Sequence, residues 1–100
     1  MTNGVRLRTN HDLLHELWEY VQDGMDLHLF FRAGPSGDGA RANLPAHAKL
    51  TWTVWAGSHF EAMTQFHERQ GWESYITDQP WDLQPYPEAW ITEQKAFLAG

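Results

Sequence analysis

Asn10-His-Asp-Leu-Leu-His-Glu-Leu-Trp-Glu-Tyr-Val-Gln-Asp-Gly-Met-Asp-Leu-His-Leu-Phe-Phe-Arg32 contains a change of period on which the fold turns. In its first half Leu13, Leu14, Leu17, Trp18 and Val21 recur at steps of three and four, with Asp12, Glu16, Glu19 and Asp23 opposite. That spacing predicts an amphipathic helix over residues 10–23. Thr9 or Asn10 supplies its N-cap, Asp12 suits the positive end of its dipole, and Gly24 provides the left-handed residue that ends it. In the second half Met25, Leu27, Leu29 and Phe31 alternate with Asp26, His28, Phe30 and Arg32. A period of two predicts a strand with one well-buried face.

Further along the chain, a second strand is expected at 49–56, where Leu50, Trp52, Val54 and Ala56 form one side and Thr51, Thr53 and Trp55 the other. The two strands are expected to pair. Residues 34–48 between them, with three glycines and two prolines, read as a long mobile loop at a hairpin tip. The loop lacks both a GxGxxG fingerprint and a GKS or GKT ending, so it is not read as a phosphate cradle.

Ser58 followed by Glu61 is a capping box that opens a helix carrying Phe60, Met63 and Phe66, and Gly71 closes it. A short strand is expected at 72–77. Three prolines within 78–87 enforce an extended strap, with Trp81, Leu83 and Tyr86 laid on the core. Pro87 starts a last helix that gathers Trp90, Ile91, Phe97 and Leu98 on one side. Residues 1–8 read as a flexible end or, at Val5–Arg8, an edge strand. The order helix, strand, strand, helix, short strand, helix predicts one small α+β domain over residues 1–100, with helices packed on a short antiparallel sheet.

One hundred residues, 42% of them apolar, furnish one core and not two. A formal charge of -6, with only Arg6 and Arg8 close together among the basic residues, disfavours a nucleic-acid partner. With all six histidines protonated the charge would fall to zero, so solubility should drop as pH approaches the sequence pI of 5.3. The absence of cysteine removes thiolate nucleophiles, disulfide scaffolds and cysteine-ligated metals, and suits a reducing cytoplasm. The densest apolar segment, Leu27 to Phe31, is too short to span a bilayer, so no membrane role is expected.

Chemistry-bearing motifs are sparse. His11 and His15 have the i, i+4 spacing of two helical metal ligands, but the sequence between them is not HExxH and no third ligand follows at a recognisable distance. Solvated helix residues are the simpler reading, and neither a metal nor a cofactor is expected. His59 and His67 read as edge-of-core residues of the second helix. Ser36, Ser58 and Ser74 lack the spacing of a nucleophile motif.

Six tryptophans in 100 residues are mostly explained as core material for a small domain. Trp55 is the exception, because strand alternation turns it away from Trp52 and Val54, toward the side to which Phe30 and His28 project. Phe30, Trp55 and His28 are therefore the expected partner-binding residues of a non-enzymatic binding or regulatory module, which docks a protein partner or a second copy as a homodimer. The alternative is a small-molecule or enzyme site between the sheet and residues 34–48, with His28 or His47 as its polar group.

Overall fold

A computed structural model describes residues 11–100, and the expectations for Val5–Arg8 and for the caps Thr9 and Asn10 fall outside them. The described residues form a small α+β domain with three helices and a three-stranded antiparallel sheet. Strands β1 (Leu13–Gln22), β2 (Met25–Arg32) and β3 (Lys49–Ala56) lie in the order β2-β1-β3.

The helix expected at 10–23 is strand β1. Leu13, Leu17 and Val21 are spaced by four, and an even step keeps residues on one side of a strand as well as on one side of a helix. Burial separates the two periods, since Leu13, His15 and Leu17 are buried while Leu14, Glu16 and Trp18 are half-buried. Asp23 and Gly24 both have positive φ, 54° and 76°, the backbone of a two-residue hairpin turn whose twist matches paired strands. Gly24 therefore turns a hairpin and caps no helix. Once closed, the hairpin gives β1 a ladder along β2 from His15↔Arg32 to Gln22↔Met25.

β3 pairs with the other edge of β1, from Leu13↔Ala56 to Glu19↔Lys49, with an irregularity between Leu17 and Trp18. β2 and β3 therefore do not pair with each other as expected. Both run antiparallel to β1, so they are parallel to one another, and the chain between them must cross the sheet from end to end. That crossover, expected as a mobile loop, contains a 3₁₀ turn (Pro35–Gly37) and a short helix α1 (Asp38–Ala42). It is fastened by Arg41, which donates from Nε to Glu16 at 3.1 Å and from a second nitrogen to the Gly34 carbonyl at 3.0 Å. A Cβ on the buried Gly37 would lie 2.5 Å from the Arg32 carbonyl oxygen and 2.7 Å from the Phe31 ring, so the close approach requires glycine.

Helix α2 (His59–Gln70) starts as the sequence predicts. Ser58 Oγ accepts from the Glu61 amide at 3.1 Å, and Glu61 reaches back to accept from the Gly57 amide at 2.6 Å. Gly71 ends it at φ 74°. Residues 72–77 run without forming the expected strand. In the strap a 3₁₀ turn (Pro80–Leu83) points Trp81 and Leu83 outward, 67% and 61% exposed, against the expectation that both lie on the core. Asp82 is buried in their place, accepting from Thr77 Oγ1 at 2.7 Å and Tyr75 O–H at 2.9 Å. Tyr86 is buried as expected.

Helix α3 (Glu88–Ala99) buries Ile91 and Gln94, and leaves Trp90, Phe97 and Leu98 a little under half exposed, contrary to the expected apolar face. Gln94 holds the helix to the sheet. Its side-chain oxygen accepts from the Leu14 amide at 2.8 Å, and its side-chain nitrogen donates to the Leu14 and Ala33 carbonyls at 2.9 Å. No helix among the described residues is long and apolar enough to cross a membrane.

Candidate functional site

Pleat and register assign each strand residue to a face. One face carries Leu13, His15, Leu17 and Glu19 of β1, Arg32, Phe30 and His28 of β2, and Ala56, Val54, Trp52 and Lys49 of β3. The opposite face carries Leu14, Glu16 and Trp18 with Phe31, Leu29 and Trp55. Phe30 and His28 thus share a side as expected, and Trp55 points to the other one. The separation follows from the order β2-β1-β3, because the faces of β2 and β3 are set through β1 and not by direct pairing.

Phe30 lies beneath α2, stacked on Phe66 with ring centres 4.6 Å apart and planes 11° from parallel, and flanked by Trp52 at 6.1 Å and His15 at 5.5 Å. Such stacking adds to the burial of the rings themselves. Trp55 is half-buried, and its carbonyl accepts from the Gln65 side-chain nitrogen Nε2 at 3.2 Å. The flank expected to hold Phe30 and Trp55 side by side therefore does not exist, and Phe30 is half-buried against α2.

His15, by contrast, is buried, 3% exposed. Nδ1–H donates to the Leu13 carbonyl at 3.0 Å, and Nε2 accepts from the Tyr86 hydroxyl at 2.8 Å. Burial lowers its pKa to about 4, and the Arg32 guanidinium adds to the effect, so the ring is neutral. Burial likewise raises the Tyr86 phenol above its usual range. His11 sits on the surface against Glu88, 3.4 Å away. With both nitrogens of His15 engaged in the interior, the pair cannot share a metal, and no group of three or more potential ligands gathers among the described residues. Neither α2 histidine is fully buried: His59 is exposed with its ring edge-on to Tyr75, and the half-buried His67 donates from Nδ1 to the Glu73 carbonyl at 2.8 Å.

The concave site lies at the far end of the sheet from α3. β3 begins at Lys49, opposite Glu19, so Tyr20, Val21 and Gln22 extend past it with one edge of β1 unpaired. His47, arriving at the end of the crossover, donates from Nε2 to the Val21 carbonyl at 2.9 Å and sets its ring edge-on to Tyr20. The result is a cleft of about 470 Å³ lined by Glu19, Tyr20, Val21, Asp26, Leu27, His28, His47, Lys49 and Thr51. That volume lies in the range of small-molecule sites.

Across the cleft three side chains stand abreast on three strands, His28, Glu19 and Lys49, each directly opposite its neighbour. His28 Nδ1–H donates to Glu19 Oε2 at 2.8 Å, which fixes the orientation of the ring and leaves Nε2 as its second polar atom. The Glu19 carboxyl is held below its ordinary range, first by a hydrogen bond from Thr51 and then by His28, so it stays anionic. An oriented imidazole beside a fixed carboxylate and an ammonium can accept a proton, donate a hydrogen bond, or pair with a charged ligand.

Of the residues named from sequence, the cleft brings together His28 and His47, and it excludes Phe30 and Trp55. Glu19, Lys49 and Asp26 were missed. Glu19 was read as the polar side of a helix, and only a strand assignment sets it opposite both His28 and Lys49. Comparison of the chain with protein-family models, curated proteins and solved structures finds no match.

Proposed function

We propose that this domain binds a small molecule in the cleft at the turn end of its sheet. The convergence of His28 and His47 carries this reading: they come from segments nineteen residues apart in the chain, and both line one cavity with Glu19, Lys49 and Thr51. A polar cluster beside the apolar Val21, in a cavity whose lining also includes Tyr20 and Leu27, is the composition of a ligand site. Docking of a protein partner or a second copy through Phe30 and Trp55 is the weaker reading, since the two rings are on opposite faces and one is packed under α2.

A fragment screen read by amide chemical shifts tests the proposal. Shifts clustering at Tyr20, Leu27, His28, His47 and Thr51 are expected. A cluster on the strap and α3, with the cleft silent, would overturn it.

A further inference from the structure

The cleft holds two charges of opposite sign that do not meet. Among the described residues, neither the Lys49 ammonium nor the Asp26 carboxylate takes part in an ion pair or a side-chain hydrogen bond, whereas Glu19 is engaged by His28. Register puts Asp26 opposite Val21 on β2 and Lys49 opposite Glu19 on β3, on the same face and on the two strands that flank β1. Two strand spacings and one two-residue step separate their Cα atoms by about 12 Å. That is too far for a relaxed direct contact between the short Asp26 side chain and Lys49. It leaves room for a molecule between them.

Resting on the small-molecule reading of the cleft, we propose that its ligand is a zwitterion of the α-amino-acid class with an apolar side chain. The ammonium end is held by the Asp26 carboxylate, beside the His28 ring that Glu19 orients. The carboxylate end is held by Lys49. Val21, which shares the face of Asp26 and Lys49 and lines the cavity, meets the apolar part. A purely anionic ligand would face Asp26 and Glu19, and a purely cationic one would face Lys49, so the arrangement discriminates by charge layout more than by net charge.

The test is an amide-shift titration with L-leucine and its two halves, 3-methylbutylamine and 4-methylpentanoate. Leucine should bind at least tenfold more tightly than either half, with shifts at Tyr20, Leu27 and His28. Asp26→Asn should reduce leucine to the affinity of the acid, and Lys49→Met to that of the amine. Both positions are exposed, and an unchanged melting temperature verifies that each variant is folded. If either half binds as well as leucine, with shifts in the cleft, the cleft holds a ligand but the zwitterion proposal is overturned. If no probe shifts a cleft residue while the fragment screen does, the proposal alone fails; if neither does, the small-molecule reading falls with it.

Discussion

His15 shows how one buried side chain sets a pH limit. Its folded pKa is about 4 against an ordinary 6.5, so on acidification the unfolded chain binds a proton that the folded chain refuses. Its contribution is intact above pH 6.5 and is lost as pH falls toward 4. At about 1.4 kcal/mol per pH unit the loss reaches about 3 kcal/mol. Urea denaturation at pH 7.5, 5.5 and 4.5 should show this decline, and His15→Phe should remove that part of it. The same variant should cost about 1–3 kcal/mol at neutral pH, because the buried Tyr86 hydroxyl loses its acceptor. Gly37→Ala should be destabilising by about 1–3 kcal/mol, since the new methyl group meets backbone at Arg32 that cannot move without opening the sheet.

At the scale of elements, α3 is attached as much by hydrogen bonds as by apolar burial. Gln94→Leu leaves the Leu14 amide and two carbonyls without their side-chain partner, and should cost more than about 2 kcal/mol. Hydrogen exchange should quicken across 88–99 before it does in α2. Sequence made α2 legible to the residue, because a capping box and a terminal glycine are local signals that tertiary context does not rewrite. β1 was not legible as a strand, because Leu13, Leu17 and Val21 satisfy both periods, and the Asp-Gly turn that decides between them also ends helices. The cleft is half legible for the same reason: His28 and His47 stand out as side chains, but a helix over 10–23 puts Glu19, the partner of His28, on a solvated face.

For the molecule as a whole, the aromatic wealth divides into interior and surface in a way that composition alone does not reveal. Phe30→Ala should cost about 2–3 kcal/mol, as expected for a half-buried ring stacked on the buried Phe66. Trp81→Ser, at a site 67% exposed, should leave stability within about 0.5 kcal/mol. Thermal melts of the two variants side by side check the assignment.

The strand order also has a temporal side. The central strand is synthesised first, and β2 serves one of its edges within ten residues, through the shortest of turns. Its other edge stays open until the crossover is complete and β3 arrives, a non-local closure that is intrinsically slower. A nascent or refolding chain therefore passes through a stage in which a hairpin presents unsatisfied backbone to its neighbours, and that is the stage at which aggregation competes with folding.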